Sequence, residues 1–340
     1  MPASKGRKTM KNFWAEKKVL VTGAGGFIGS HLVERLVDAG AAVRAFVRYN
    51  SRADAGLLRM AAPETVSQLK LIGGDLRDGD AIHKAVKGCD IVFHLGALIS
   101  IPYSYLHPVE VAESNFIGTL NILTACRDLG VQRLIHTSTS EVYGTALRPM
   151  IDETHPLQGQ SPYSASKIGA DKMAESFYCA YELPVVTVRP FNTYGPRQSA
   201  RAVIPTIITQ AVAGKTIQLG STDTVRDFTF VDDTVNGFLR AAEAADVNGC
   251  TFNLGTGEAV SIGELSELII QKTGSQAGVK VDAARLRPQK SEVRRLLSDN
   301  SLARERLGWQ PQVNLGDGLD KTISWIRDNL NHYRIGTYEF

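Results

Sequence analysis

The 340-residue sequence predicts an α/β protein built on a doubly wound parallel sheet, with a smaller α/β lobe for a substrate. Short apolar runs alternate with amphipathic runs through the first half of the chain, which is typical of βαβ units. A glycine-rich turn follows the first apolar run and opens the first amphipathic run. Beyond residue 190, glycine and proline separate shorter elements, which indicates a change of architecture.

The apolar runs predict six strands, which are expected at 18–22, 43–47, 69–72, 91–95, 132–138 and 185–188. Amphipathic patterns between them predict helices, the clearest at 80–87, 109–129 and 163–181. Strands joined by helical crossovers run parallel, so the alternation predicts one sheet with helices on both faces. We assign 11–190 with 227–252 to the sheet domain, and 191–226 with 253–332 to the smaller lobe.

Composition and charge exclude several classes of function. The chain is 43% hydrophobic and 21% charged, and its net charge of +3 is too small to indicate nucleic acid or a membrane surface as a partner. Its four cysteines are widely spaced and its histidines scattered, so we expect reduced, buried thiols and no metal site. The basic segment 1–18 lacks an apolar core, so we expect no signal peptide and a cytoplasmic protein.

The glycine turn at 23–29 predicts a dinucleotide-binding, Rossmann-type site. Gly23, Gly26 and Gly29 lie between a strand and a helix, where they allow a tight turn and a close approach of the backbone to a pyrophosphate. The following N–H groups, including those of Phe27 and Ile28, belong to a helix N-terminus that favours anions. A simple turn is the alternative, but the flanking strand and helix favour cofactor binding.

The end of the second strand bears on the choice between NAD and NADP. An acidic residue commonly accepts the ribose 2′-hydroxyl of NAD at this place, and the segment 47–52 contains none. It offers Arg48, Asn50 and Ser51, which suit a 2′-phosphate, so NADP is preferred here. The alternative is that NAD binds and Arg48 stacks on adenine or faces solvent. Further along, Asp75 is expected to accept from the adenine amino group, and Ala97 follows Gly96 where the cofactor approaches.

Tyr163 and Lys167 form the candidate catalytic pair. They are four residues apart after Pro162, a residue favoured at a helix start, so both side chains should share one helix face. A nearby ammonium favours the phenolate form of a tyrosine, which can then act as a base. Thr139, Ser140 and Glu141 follow a strand, at the edge of the sheet where ligands bind. The spacing alone also fits an exposed surface pair, and the rest of the chain decides against that reading.

In the second half of the chain, several arginines are candidates for a diphosphate clamp, because guanidinium groups make paired, charge-assisted hydrogen bonds to phosphate. The candidates are Arg201, Arg226 and Arg287. Each taken singly also fits a solvated surface charge.

Together these motifs resemble the extended short-chain dehydrogenase/reductase superfamily, in particular its nucleotide-sugar-modifying branch. The resemblance rests on 22–29, on 94–97, on Tyr163 with Lys167, on 189–196 and on 226–228. It implies that Leu76, Leu95 and Asn115 contact the cofactor, and that Asn192, Arg226 and Arg287 contact the diphosphate of a nucleotide sugar. It also implies a homodimer through a four-helix contact, formed here by the helices at 109–129 and 163–181.

The Thr139-Ser140-Glu141 loop discriminates within that branch. It resembles the loop of the 4,6-dehydratases, whereas 4-epimerases tend to carry small residues there. The serine version is similar to GDP-mannose 4,6-dehydratases, and 101–105 with 156–163 resemble GDP-N-acetylglucosamine 4,6-dehydratases. We therefore expect a 4,6-dehydratase that acts on a GDP- or UDP-linked hexose or N-acetylhexosamine. A 4-epimerase is the runner-up, and a non-catalytic dinucleotide sensor is the alternative from another class.

Overall fold

The computed structural model describes residues 13–337, so the expectations for the first dozen residues lie outside it. The strands in this part of the chain are β1 (Lys18–Thr22), β2 (Ala42–Arg48), β3 (Lys70–Gly74), β4 (Ile91–His94), β5 (Arg133–Thr137), β6 (Val185–Pro190), β7 (Asn192–Tyr194), β8 (Ile217–Leu219), β9 (Val225–Arg226), β10 (Phe228–Phe230), β11 (Thr251–Leu254), β12 (Val260–Ser261) and β13 (Val279–Val281). The α-helices are α1 (Phe27–Asp38), α2 (Pro63–Ser67), α3 (Gly79–Val86), α4 (Ile101–Leu106), α5 (Pro108–Ala112), α6 (Gly118–Leu129), α7 (Pro162–Tyr181), α8 (Val203–Val212), α9 (Val231–Glu243), α10 (Ile262–Thr273), α11 (Ser301–Leu307) and α12 (Leu315–Asp328).

Seven parallel strands form the central sheet, in the order β11-β6-β5-β4-β1-β2-β3. Side chains alternate across a strand, so each face of the sheet buries its own set. In β1, Val19 and Val21 pack in one core with α1 and α9. Leu20, between them, packs on the opposite face with α3, α6 and α7. The predicted doubly wound parallel sheet is therefore confirmed.

The remaining strands form three pairs outside the central sheet. β7 pairs with β10 and β8 with β13, both parallel, whereas β9 and β12 are antiparallel. These pairs, with α8, α10 and α12, contain most of the segments assigned to the smaller lobe. β11 pairs along its whole length with β6, so the boundary drawn after residue 252 falls inside a strand of the central sheet.

The helix predicted at 109–129 is interrupted. α5 ends at Ala112, the π-helical segment Glu113–Ile117 follows, and α6 begins at Gly118. The π segment turns Asn115 inward, where it is 1% exposed. An apolar period near 3.6 residues cannot reveal one wider turn, because such a turn changes the facing of only a few side chains.

The helix α7 begins as predicted and for the predicted reason. Pro162 occupies its first turn, where no N–H is needed for an intrahelical bond. Ser161 and Ser164 exchange hydrogen bonds between side chain and backbone in a capping box. This cap fixes where α7 starts, and so where Tyr163 and Lys167 stand above the sheet.

Two expectations about single side chains have different outcomes. His94 and His136 are hydrogen-bonded core residues, as predicted, at 2% and 0% exposure. Burial lowers the pKa of both imidazoles, so both are neutral at physiological pH. The expectation of buried thiols is wrong for Cys179, which is exposed on α7. It lies on the side of the helix opposite the buried residues.

Candidate active site

The glycine turn has the close backbone packing that a dinucleotide site requires. Gly23 adopts φ +68°, a conformation that favours glycine. A Cβ at Gly29 would stand 2.2 Å from the carbonyl oxygen of Gly23, so helix and turn touch with no room for a side chain. No acidic residue lies in the first turn of α1, which leaves its partial positive charge for an anion. The turn therefore fits the pyrophosphate of NAD(P), next to the predicted Phe27 and Ile28.

At the predicted adenosine end, Arg48 is available and Asn50 is engaged. The Arg48 guanidinium is 64% exposed and lies 3.2 Å from a carboxylate oxygen of Glu110. Asn50 instead closes its own loop: its side chain donates to the carbonyl of Asp54 and accepts from the N–H of Asp54. Ser51 is exposed in the same turn. Of the three predicted phosphate ligands, only Arg48 is charged, and its side chain is largely exposed to solvent.

Asp75 and the small residues after β4 are the next predicted cofactor contacts. Three hydrogen bonds from Arg77 hold the Asp75 carboxylate, and they lower its pKa to about 2. Leu76 packs against Gly96, where a Cβ would meet its Cδ1 at 2.9 Å. Leu95 is partly buried against the core, and Ala97 follows the glycine. The backbone of Gly96 is therefore closely packed at this predicted cofactor contact.

Tyr163 and Lys167 are both buried on the same face of α7. Lys167 Nζ donates to the carbonyl of Thr137 at the end of β5, at 2.7 Å. Burial lowers the pKa of Lys167 to about 8, and the charge of Asp171 partly opposes this. Burial raises the pKa of the Tyr163 phenol, although its hydrogen bond with Thr139 acts in the opposite direction. The phenol is therefore protonated at physiological pH in the chain by itself.

Glu141 reaches the same place from the short 3-10 helix Ser140–Tyr143, directly after β5. The Thr139 hydroxyl caps this turn by accepting the N–H of Glu141 at 3.2 Å. The charge of Glu141 helps to raise the pKa of Tyr163, which places carboxylate and phenol in one neighbourhood. Ser140, which lies between Thr139 and Glu141 in the sequence, is 3% exposed. The catalytic residues predicted from distant segments thus converge on the edge of the sheet.

Two of the predicted diphosphate arginines meet beside Glu141. Arg287 Nη1 lies 3.9 Å from Glu141 and 3.8 Å from Glu292. Arg226 Nη2 lies 3.5 Å from the same oxygen of Glu292, and burial lowers the pKa of Arg226. The two guanidinium groups therefore share one counter-ion. Arg287 Nη1 is buried without a hydrogen bond, as expected of a donor that awaits an acceptor.

The other predicted binding residues differ in their surroundings. Asn192 donates to the carbonyl of Asp227, next to Arg226, at 3.3 Å. Asn115 uses its amide to tie Leu98 to Ser166, so it holds the loop after β4 against α7. Arg201 contacts Ser199 in an exposed turn, and it forms no ion pair with a carboxylate among residues 13–337.

Two residues that the sequence analysis did not single out, Glu292 and Asp171, lie among the predicted site residues. Glu292 lies five residues after Arg287 and pairs with both arginines. Asp171 follows Tyr163 and Lys167 at the same spacing of four, which was a readable sign that it shares their helix face.

Known proteins share this architecture over nearly the whole chain. A family model described as GDP-mannose 4,6 dehydratase matches residues 20–322. The chain belongs to this family. It is thus a member of the nucleotide-sugar dehydratase branch of the extended short-chain dehydrogenase/reductases, as the motifs indicated.

Three relatives illustrate the range of this family. A UDP-glucose 4-epimerase from Mycolicibacterium smegmatis is 35% identical over 92% of this chain and 99% of its own. A dTDP-glucose 4,6-dehydratase from Actinoplanes is 31% identical over 92% and 98%. A double mutant of a dTDP-glucose 4,6-dehydratase from Streptomyces venezuelae, solved with NAD bound, has a TM-score of 0.84 at 30% identity, covering 93% and 98% of the chains.

These findings support an NAD(P)-dependent enzyme of the nucleotide-sugar dehydratase and epimerase family, with a nucleotide sugar as substrate. A non-catalytic sensor is therefore set aside. Among residues 13–337, no helix has both the length and the apolar character needed to cross a membrane.

Proposed function

We propose that the chain is a nucleotide-sugar 4,6-dehydratase, which converts an NDP-hexose into the 4-keto-6-deoxy sugar with loss of one water. The observation that carries the proposal is the position of Glu141, whose charge acts on the Tyr163 phenol and raises its pKa. The dehydration needs one base for the hydroxyl proton at C4 and a second for the proton at C5. An epimerisation at C4 needs only the first base.

In this reaction Tyr163 takes the proton of the C4 hydroxyl, with Thr139 hydrogen-bonded to the phenol and Lys167 charged nearby. When bound, NAD(P) supplies the redox chemistry, in which hydride leaves C4 and later returns to C6. The 4-ketone makes C5–H acidic, and Glu141 takes that proton. The C6 hydroxyl departs as water, and the proton that it needs passes through Ser140 or a bound water from Tyr163, which gives up the proton taken from the C4 hydroxyl and so returns to its phenolate form. Glu141 then returns its proton to C5.

The substrate is bound through its diphosphate in this proposal. Arg226 and Arg287 stand close together and share Glu292, so a diphosphate can replace that carboxylate as their common partner. Asn192, whose amide contacts the backbone next to Arg226, adds an amide donor. Arg201 is the least supported of the candidates, because its side chain contacts Ser199 in its own exposed turn. We propose a GDP- or UDP-linked hexose or N-acetylhexosamine, on the strength of the motif resemblance at 101–105 and 156–163.

For the cofactor we propose a preference for NADP over NAD. Support comes from the exposed Arg48 guanidinium at the end of β2. The first acidic residue after β2 in the sequence, Asp54, is occupied: its carboxylate accepts the N–H of Gly56 and pairs with Arg59. Glu110 is already paired with Arg48. The relative solved with NAD leaves the choice between the two cofactors open for this chain. Mass analysis of cofactor released by heating the purified protein tests it directly.

We also propose a homodimer through α5–α6 and α7. These helices carry large apolar side chains exposed to solvent: Val109 at 68%, Ile117 at 40%, Tyr178 at 38% and Tyr181 at 53%. A partner copy covering such side chains would remove apolar surface from water.

The test of the dehydratase is Glu141→Gln, assayed by product mass against a panel of GDP- and UDP-sugars. The parent should yield a product lighter by one water. The variant should oxidise C4 and then stop, so that reduced nicotinamide accumulates without loss of water. Glu175→Gln, an exposed carboxylate on α7, is the matched control and should behave as the parent. Dehydration by Glu141→Gln at the parent rate would refute Glu141 as the base.

A 4-epimerase remains the second candidate, favoured by the 35% identity to the mycobacterial epimerase. It predicts a product of unchanged mass with inverted configuration at C4. It also predicts that Glu141→Gln stays active, because hydride then returns to C4 and no C5 proton is removed.

A further inference from the structure

Behind the catalytic pair lies a buried cluster of polar side chains centred on Asp171. Its carboxylate accepts four hydrogen bonds: from His136 Nε2 at 3.0 Å, from Ser138 Oγ at 2.7 Å, and from Arg189 Nε at 3.1 Å and Nη2 at 2.9 Å. Neutral His136 therefore carries its proton on Nε2, a tautomer inferred from this acceptor. The donors come from the end of β5 and from β6, so Asp171 ties α7 to both strands.

The cluster continues into the turn that carries Glu141. Arg189 Nη1 donates to the Tyr143 hydroxyl at 2.8 Å, and the guanidinium lies over the Tyr143 ring at 4.9 Å. The Tyr143 hydroxyl in turn donates to Asn253 Oδ1 at 2.8 Å. Tyr143 is the last residue of the short 3-10 helix Ser140–Tyr143. A continuous path of hydrogen bonds thus joins the helix of Tyr163 to the turn of Glu141.

We propose that Asp171 is a positioning residue of the active site, which sets the placement of α7 relative to the Glu141 turn. It acts through Lys167 on its own helix, and through Arg189 and Tyr143 on the facing turn. The inference rests on the proposed function only in that the reaction begins at Tyr163, and it holds equally for dehydration and epimerisation.

The electrostatic part follows from the surroundings of Lys167. The titratable groups whose charges interact with it are His94 from β4, His136 from β5 and Asp171 from α7, and Tyr163 shares its helix face. Arg189 from β6 binds Asp171. Burial lowers the pKa of Lys167 to about 8, and the charge of Asp171 raises it. Without that charge, Lys167 should lose its proton at a lower pH, and with it the capacity to stabilise a phenolate.

The carboxylate itself stays charged throughout the working range. Burial raises the pKa of Asp171, but the hydrogen bond from His136 and the charges of Arg189 and Lys167 outweigh burial and bring it to about 2. The bonds that Asp171 accepts are therefore permanent under assay conditions, as a positioning role requires.

The experiment compares Asp171→Asn and Tyr143→Phe with the parent in kcat, KM and the pH profile of turnover. Asp171→Asn should lower kcat by on the order of 100-fold, the cost of about 1 Å of misplacement, with KM nearly unchanged. Its alkaline limb should move to lower pH by about one unit. Tyr143→Phe keeps the carboxylate, so it should lower kcat without moving the alkaline limb.

Asp171→Glu is the conservative variant. A cavity of about 500 Å³ borders Asp171 and Arg189, which leaves space for one more methylene. This variant should keep the alkaline limb of the parent even where kcat falls. If Asp171→Asn does not fold, Asp171→Glu and Tyr143→Phe decide, and parent kcat in both would overturn the proposal.

A measurement that needs no substrate separates this inference from the proposed function. Nuclear magnetic resonance of protein labelled with 13C at lysine Cε should follow Lys167 with a midpoint near pH 8 in the parent, and at lower pH in Asp171→Asn. A parent that turns over no nucleotide sugar refutes the proposed function alone. A Lys167 midpoint unmoved by Asp171→Asn, or a variant with lower thermal stability but parent kcat and limb, refutes the positioning role.

Discussion

Gly29→Ala tests the cofactor site at the point where the backbone is most crowded. The added Cβ would stand 2.2 Å from the carbonyl oxygen and 2.9 Å from the carbonyl carbon of Gly23. Ordinary van der Waals contact begins near 3.4 Å, so the methyl group is more than 1 Å too close to the carbonyl oxygen and also too close to the carbonyl carbon. No side chain can rotate away, and either the turn or the start of α1 must move.

That movement should cost both stability and cofactor binding. Overpacking of this kind typically costs about 1–3 kcal/mol, which lowers Tm by several degrees in a protein of this size. A displacement of the pyrophosphate turn should also weaken NAD(P) binding by about 10- to 100-fold, the loss of one hydrogen bond from its N–H groups to a charged phosphate. Calorimetric titration with NADP and thermal unfolding measure the two effects.

Gly263→Ala is the matched control for this substitution. Gly263 lies in the first turn of α10, and the nearest atom to its added Cβ is a carbonyl oxygen at 3.6 Å. The control should bind NADP as the parent does and have an equal or slightly higher Tm. The packing argument fails if Gly29→Ala keeps the parent affinity and Tm.

Three further predictions concern binding. Arg287→Gln should raise KM for the nucleotide sugar by about 10- to 100-fold, the loss of a charge-assisted bond, while the Kd of NADP stays unchanged; equal KM values would contradict the diphosphate assignment. Arg48→Gln should reduce the ratio of NADP to NAD affinity by about tenfold or more, and an unchanged ratio by titration would point to NAD. Tyr181→Glu should shift sedimentation toward the monomer, with Glu182→Gln as control, and a dimer of unchanged affinity would exclude α7 from the interface.

Much of the fold was readable because its signs are local. A strand followed by Gly23, Gly26 and Gly29 and then by an apolar helix period dictates one βα unit within about twenty residues. The capping residues around Pro162 likewise fix the start of α7 without help from distant segments. The π-helical turn at Glu113–Ile117 escaped prediction because Asn115 turns inward to bind Leu98 and Ser166, which are remote in sequence.

The sequence likewise predicts some residues of the candidate site and leaves others to the tertiary structure. Tyr163 and Lys167 could be paired by their spacing, and Asp171 continues that spacing. By contrast, the contacts of Glu292 with Arg226 and Arg287 join β9 to the loop that carries Arg287 and Glu292, and they depend on how that loop packs against the strand. Cysteine exposure shows the same limit, since an apolar neighbourhood in sequence does not tell which side of α7 Cys179 occupies.

The sequence by itself determined the parallel sheet, the glycine turn and the catalytic helix, because hydrophobic period, glycine conformation and helix capping act over a few residues. Tertiary structure decided which charges meet: Asp171 with Arg189, Arg189 with Tyr143, and the two lobe arginines with one glutamate. The physical reason is that parallel strands bring their ends to one edge of the sheet, whereas side-chain packing selects the partners there, most of them 18 to 66 positions apart in the sequence.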